Sequence, residues 1–135
     1  MKATFFIVSA SIGASGHMSE KGLMRLDPSV VEIGSHTVNH RALANLPNSV
    51  LHRELKDSRL SLEFVLGRDV RAFAFPYGSF DAAALRALPE AGYELAFTSE
   101  RGRNESAVDP FRLERYSIYR GMSMKTFENL LLGSN

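Results

Sequence analysis

The sequence EIGSHTVNH, residues 32–40, follows two valines and places two histidines four positions apart. The apolar run 30–33 predicts a short buried strand, and the Gly-Ser pair after it is typical of a strand end. His36 and His40 would then lie on the loop or first helical turn after the strand, where residues four apart share a face. Two convergent imidazoles suit Zn²⁺, Co²⁺ or Ni²⁺ better than Mg²⁺ or Ca²⁺. By itself, however, the spacing favours a loop with two solvated or capping histidines.

The rest of the chain alternates predicted strands with predicted helices. Its 135 residues suit a single domain, 1–135, and the composition of 44% hydrophobic and 23% charged residues is ordinary for a globular protein. Further strands are predicted at 3–8, 70–75, 93–98 and 111–118, and helices at 19–26, 48–66 and 79–91, with a last helix capped by Ser123. The run 3–8 is continuously apolar, which suits a parallel strand buried on both faces. We therefore expect an α/β fold with a mostly parallel sheet.

Some side chains are assigned to the core or the surface from the same periodicity. The helix at 48–66 should begin with a cap at Asn48 or Ser49 and end at Gly67. Predicted core residues are Leu51, Leu55, Leu62 and Leu66 on that helix, Leu113, Tyr116 and Ile118 on the fifth strand, and Phe127, Leu130 and Leu131 on the last helix. His52 is predicted to be a surface or boundary residue, and Arg115 to form at most an ordinary ion pair with Glu114.

Charge and cysteine content exclude several classes of function. The net charge of +1 gives no electrostatic case for binding nucleic acid or an anionic membrane surface. Because there is no cysteine, disulfides and thiolate metal sites are excluded, and a metal would need histidine and carboxylate ligands. No stretch approaches the roughly 20 apolar residues of a membrane span. Residues 1–10 have some features of a signal peptide, but the apolar run is short, so we favour a strand and leave the compartment open.

Two clusters of interest each follow a predicted strand directly. Residues 35–40 follow the strand 30–33, and Pro76-Tyr77-Gly78 follows the strand 70–75. In parallel α/β sheets, binding sites form at the carboxyl ends of the strands, so both clusters should lie at the same edge. Pro-Tyr-Gly alone is typical of a plain β-turn, and it is the predicted co-location with the histidines that suggests a shared site.

Together, these segments resemble the polysaccharide deacetylase family, the NodB-homology domain of carbohydrate esterase family 4. The segments that carry the resemblance are KATFF at 2–6, EIGSHTVNH at 32–40, FAFPYG at 73–78 and the run from Thr98 to Arg115. The resemblance implies a distorted (β/α) barrel of seven or eight strands. It also implies metal-dependent hydrolysis of N- or O-acetyl groups on a polysaccharide. FAFPYG is similar to the poly-N-acetylglucosamine deacetylase branch, which favours an N-acetylglucosamine polymer, and family analogy favours the cell envelope or the exterior.

The resemblance also implies roles for individual residues. His36 and His40 would be two ligands of a divalent metal, most often zinc, with cobalt and nickel as alternatives. Pro76, Tyr77 and Gly78 would line the substrate groove, and the backbone N–H of Tyr77 would help to hold the oxyanion. In such a site the metal polarises the acetyl carbonyl and activates water, a carboxylate acts as base, and an acid serves the leaving group.

Three parts of the family pattern are absent from this sequence. The TFDD strand, which supplies the base and a third metal ligand, is not found before Lys2; the arginine of the third motif would fall at Ala74; and no histidine follows His52. We therefore expect an N-terminally truncated domain that lacks the first strand and helix of the barrel, binds metal weakly and has little or no activity alone. The exposed edge of the strand 3–8 would favour a homo-oligomer. The alternative is a non-catalytic carbohydrate-binding or assembly domain.

Overall fold

The sheet contains four parallel strands that lie side by side in chain order. The computed structural model describes residues 2–104 and 108–133. Its strands are β1 (Ala3–Ile7), β2 (Val31–Ser35), β3 (Ala72–Ala74) and β4 (Leu95–Phe97), and each neighbouring pair is parallel. Sequential parallel strands with intervening helices are the arrangement of part of a (β/α) barrel, so the predicted α/β class is confirmed.

Four helices accompany these strands: α1 (Glu20–Met24), α2 (Asn48–Leu66), α3 (Ala82–Glu90) and α4 (Met124–Leu132). Ser19, Asp81 and Ser123 cap α1, α3 and α4, since each side chain accepts a hydrogen bond from a backbone N–H of the first turn. Gly67 ends α2 in the left-handed conformation, as predicted. The predicted cap of α2 at Asn48 or Ser49 is wrong, because the N-cap is Pro47, which makes no side-chain bond.

The core lies between the sheet and the helices α2 and α3. Leu51, Leu55 and Leu62 of the predicted α2 stripe are buried, and Phe73 of β3 packs on Tyr93 with 5.1 Å between ring centres. Burying one such side chain contributes about 1.5–3 kcal/mol, so these contacts fix α2 firmly against the sheet. They thereby fix the carboxyl edge of β2 and β3, where both sequence clusters begin.

The predicted fifth strand is wrong. Within residues 111–118, Leu113 alone joins the sheet, through an isolated parallel bridge to Phe97. The backbone N–H of Arg115 then turns to the carbonyl of Glu100, so the ladder does not continue. Ile118, predicted to be core, is 56% exposed, and Leu131 of α4 is also exposed. This part of the chain is therefore less buried than its apolar residues predicted.

The strand β1 forms one edge of the sheet. It pairs with β2 over its whole length, and no other strand of the described ranges pairs with its outer side. The prediction that this strand is buried on both faces is wrong, since Phe5 is exposed and its neighbours are only half-buried. No helix in the part of the chain that the structure describes is long and apolar enough to cross a membrane.

Candidate metal centre

The two histidines lie just beyond the carboxyl end of β2. The backbone N–H of His36 donates to the carbonyl of Ile7 at 2.9 Å, which extends the contact between β1 and β2 by one bond. The segment is a loop and not a helical turn, because Thr37 and His40 have φ angles of 68° and 56°. The two rings nevertheless converge, with 3.1 Å between their Nε2 atoms. A left-handed bend, and not helical spacing, brings them together.

Each imidazole is oriented through its Nδ1 atom. Nδ1 of His36 lies 2.7 Å from the carbonyl oxygen of Ala74, so this nitrogen donates and Nε2 carries the lone pair. Nδ1 of His40 lies 3.0 Å from the hydroxyl of Tyr77, which can accept or donate. Burial lowers the pKa of His36; its bond to Ala74 opposes this effect, and the charges of His40 and Arg115 add to it. The neutral form of His36, which can bind a metal, is therefore favoured.

The spacing of the two nitrogens fits two positions of a tetrahedral metal. With Zn–N bonds of 2.0–2.1 Å, two ligands of one zinc ion are about 3.3 Å apart, and the observed separation is 3.1 Å. Neutral imidazoles with the second nitrogen anchored are also the usual form of histidine ligands. No third His, Cys, Asp or Glu joins the pair within residues 2–104 and 108–133. The described donors thus account for two ligand positions.

A buried carboxylate on α2 holds the segment between the histidines. Glu54 is 4% exposed. Its Oε2 accepts hydrogen bonds from the backbone N–H groups of Val38 at 3.0 Å and Asn39 at 2.9 Å, and its Oε1 accepts from the side-chain amide of Asn39 at 2.8 Å. Arg41 lies 3.7 Å from Oε1. Glu54 was not predicted from the sequence, although a charge three residues after Leu51, on the inward face of an amphipathic helix, was a usable signal.

The second cluster forms a tight turn directly after β3. Tyr77 has a φ of 58°, is 73% exposed and places its ring beside His40, with 4.7 Å between ring centres. Pro76 is buried beneath the turn, so Tyr77 and part of Gly78 form its surface. A Cβ on Gly78 would lie 2.7 Å from the side chain of Ser99, which explains the glycine. Both clusters do lie at one edge of the sheet, as the sequence predicted.

Arg115 lies close to the same edge, and the sequence analysis gave it no role. Its Nε donates to the carbonyl of Thr98 at 2.8 Å, and its guanidinium carbon is 5.9 Å from the ring centres of both Phe6 and Phe97. Its charge reaches His36, whose pKa it helps to lower. Among the ion pairs that the structure describes, none joins Arg115 to Glu114.

Known proteins match this chain in sequence and in fold. Residues 1–96 match the sequence model of the family described as polysaccharide deacetylase. YxkH of Bacillus subtilis (strain 168), which carries a polysaccharide deacetylase assignment, is 28% identical over 127 residues, or 94% of this chain and 46% of YxkH. The deacetylase PplD of Streptococcus pyogenes, solved in complex with acetate, superimposes with a TM-score of 0.90 at 25% identity, covering 96% of this chain and 58% of PplD.

A third protein supports the fold alone. BA0330 of Bacillus anthracis, also assigned as a polysaccharide deacetylase, superimposes with a TM-score of 0.87 at 23% identity, covering 96% of this chain and 41% of BA0330. The chain thus spans about half the length of the relatives that it matches. Since the family model covers well over half of its residues, the chain belongs to the polysaccharide deacetylase family.

Proposed function

We propose that His36 and His40 bind a divalent metal, zinc in preference to cobalt or nickel, and that this site serves the hydrolysis of N- or O-acetyl groups on a polysaccharide that contains N-acetylglucosamine. Membership of the family supports acetyl hydrolysis on a polysaccharide. The observation that carries the metal proposal is the 3.1 Å approach of the two Nε2 atoms. Each opposite Nδ1 is anchored, so neither ring is free to turn away.

The chain's own residues prepare this site in several ways. The carbonyl of Ala74 holds His36 in the tautomer whose Nε2 lone pair faces the metal position. The hydroxyl of Tyr77, as an acceptor, would hold His40 in the same tautomer. When bound, the metal supplies Lewis acidity toward the acetyl carbonyl. We assign to the backbone N–H of Tyr77 the donation of a hydrogen bond to the carbonyl oxygen as negative charge develops there.

The substrate groove is proposed to run across the turn at 76–78. Pro76 supports the turn from beneath, while Tyr77 and Gly78 offer the surface that a sugar ring would contact. Two histidines hold a metal less firmly than three ligands do, and general acid–base help is worth roughly 10²–10⁴-fold in rate. Because no third donor joins the histidines in the described ranges, we propose weak metal binding and slow hydrolysis for these residues alone.

A second candidate function is binding without catalysis. The lack of a third donor among residues 2–104 and 108–133 favours it, because a carbohydrate groove needs no metal-activated water. In this view the chain is a carbohydrate-binding or assembly domain derived from a deacetylase. The two candidates differ in one measurable product, which is free acetate.

We also propose that copies of the chain associate through the open edge of β1. That strand is apolar and partly exposed, with Phe5 at 41%, and unpaired strand edges are templates for pairing. Analytical ultracentrifugation should show dimers or larger species that dissociate in Phe5→Lys. A wild-type monomer at 100 μM or more would contradict the proposal, as would a Phe5→Lys variant that remains folded and associates unchanged.

The decisive experiment measures metal content and acetate release together. The purified chain is loaded with Zn²⁺, dialysed, and compared with His36→Ala and with the control His52→Ala, which alters an exposed histidine on α2. We expect bound zinc in the wild type and in His52→Ala, and its loss in His36→Ala. Equal zinc in all three proteins would refute the metal site. Oligosaccharide binding with no acetate released above the His36→Ala level would favour the non-catalytic function.

A further inference from the structure

A separate cavity lies beyond the carboxyl end of β4, and its wall includes Ser99, which lies against the turn at Gly78. It has a volume of about 240 Å³, and the lining residues that matter here are Ser99, Arg101, Arg115, Tyr116, Ser117 and Tyr119. We refer to it as the arginine cavity. Its volume is below the roughly 300 Å³ at which pockets for drug-sized ligands begin, which suits one sugar unit and not a longer segment.

One contact and one electrostatic effect connect the arginine cavity with the candidate metal centre. Ser99, on the cavity wall, touches the turn at Gly78, since a Cβ added there would lie 2.7 Å from its side chain. Arg115, also on the wall, is close enough to His36 to lower its pKa. A polymer lying across the turn would therefore place a neighbouring unit at the mouth of the cavity.

The wall of the cavity combines two arginines and several hydroxyl groups with the apolar side chains of Met122 and Leu130. Arg101 and Arg115 line it together, and no Asp or Glu is among its described lining residues. The guanidinium of Arg101 lies 5.6 Å from the ring centre of Tyr116 and so is stacked on an aromatic wall. The hydroxyls of Ser99 and Ser117 add neutral donors. Cationic donors for a carboxylate together with neutral donors for hydroxyl groups suit a charged sugar.

Arg115 has donor capacity that the described residues do not use. Its Nε donates to Thr98, and no other hydrogen bond of the guanidinium to the described chain is found. The residue is half-buried, and this burial lowers the pKa of its guanidinium. A partly buried cation without a carboxylate is unfavourable until an anion pairs with it, and the planar guanidinium matches a carboxylate with two parallel bonds.

We propose that the arginine cavity binds a carboxylate-bearing sugar unit of the polysaccharide, with Arg101 and Arg115 holding the carboxylate. This inference rests on the proposed function for the polymer, but the cavity needs no metal. It narrows the substrate class to a polymer, or a region of one, with acidic units beside the acetylated ones. Free acetate carries the same carboxylate group, so the experiment must distinguish binding of an acidic sugar from binding of acetate.

The test uses the full chain in EDTA, so that binding is measured without metal. Glucuronate, glucose and acetate are titrated separately by calorimetry at low salt. We expect glucuronate to bind at least tenfold more tightly than glucose and than acetate. Glucuronate binding no tighter than glucose would overturn the proposal. Acetate binding as tightly as glucuronate would overturn the assignment to a sugar, because the carboxylate alone would then account for binding.

Two variants separate the cavity from a general charge effect. Arg101→Met, at an exposed side chain, should weaken glucuronate at least tenfold, while Arg53→Met, which removes the same charge from the surface of α2, should leave it unchanged. An equal loss of glucuronate affinity in Arg101→Met and Arg53→Met would overturn the proposal. Arg101→Met should still bind zinc as the wild type does, and His36→Ala should still bind glucuronate. A failure of the metal site is thus distinguishable from a failure of the arginine cavity.

Discussion

Replacing Glu54 with alanine should weaken both the fold and the metal site. The change leaves the backbone N–H groups of Val38 and Asn39 and the side-chain amide of Asn39 without their acceptor. An unpaired buried donor costs about 1–3 kcal/mol. Val38 is half-buried and Asn39 is exposed, so water can replace part of the loss. We therefore expect the free energy of unfolding to fall by about 2–3 kcal/mol, near the lower end for two N–H groups.

The effect on metal binding follows from the conformation of the segment. Thr37 and His40 are left-handed, and each such residue costs about 1–2 kcal/mol. The hydroxyl of Thr37 is buried and has no partner in the described chain, which adds to the strain. Such conformations persist only where the surroundings hold them. Without Glu54 the segment can relax, the two Nε2 atoms can separate, and metal affinity should fall by about 10–100-fold, the usual effect of losing an outer support.

The assay is a Co²⁺ titration followed by visible absorbance, combined with urea denaturation of the same samples. Glu54→Gln is the conservative control. The carbonyl of the introduced glutamine can accept from the backbone N–H groups of Val38 and Asn39, and the side-chain amide of Asn39 can turn so that its oxygen accepts from the glutamine NH₂. Leu62→Ala is the stability control: it is buried on the same helix, about two turns beyond Glu54, and should cost about 2–5 kcal/mol. The reasoning fails if folded Glu54→Ala binds Co²⁺ like the wild type, or if folded Leu62→Ala loses as much affinity.

Three further predictions test other contacts. Burial raises the pKa of Tyr93 above its ordinary value of 10.0, so this proton is lost from the unfolded chain at a lower pH than from the folded chain. Tyr93 should therefore contribute its full stabilisation below pH 10, and the free energy of unfolding should fall by about 1.4 kcal/mol per pH unit above it. Denaturation of Tyr93→Phe should show a flatter decline over the same pH range. A Cβ at Gly34 would lie 2.6 Å from the ring of Phe6, so Gly34→Ala should lose about 1–3 kcal/mol in the same assay; an unchanged midpoint would contradict this. Tyr77→Phe removes the hydroxyl beside His40 and should lower Co²⁺ affinity about tenfold or more with thermal stability retained; unchanged affinity would show that the hydroxyl does not orient the ring.

The strands and the common edge were predictable because local pattern and sheet geometry agree there. The apolar runs before residues 36 and 76 end at turn residues, and parallel strands must bring their carboxyl ends to one edge. The bend at Thr37 and His40 was not predictable, since a β-branched residue such as Thr37 rarely adopts a positive φ. It is stabilised by Glu54, which comes 14 residues after His40 and on a different element. Local propensity carries no information about such a support.

The failure at residues 111–118 has a related cause. The segment has strand-forming residues, but a strand exists only where a partner continues the ladder. Here β4 ends at Phe97, and the N–H of Arg115 pairs with Glu100 in the following loop. The same departure brings the side chain of Arg115 to Thr98 and toward His36. The nearby charge of Arg115 was therefore missed together with the end of the strand.

The two histidines can change partners without moving their rings. In the metal-free chain, Tyr77 can donate to Nδ1 of His40, whose Nε2 then donates to Nε2 of His36, so all four ring nitrogens are satisfied. A metal needs both Nε2 lone pairs, so the proton of His40 must shift to Nδ1 and the hydroxyl of Tyr77 must become an acceptor. Only hydrogens move in this exchange, which keeps the reorganisation small. The proposed metal would thus need only the two imidazoles and not the rest of the chemistry, so metal binding alone cannot distinguish an enzyme from a binding domain.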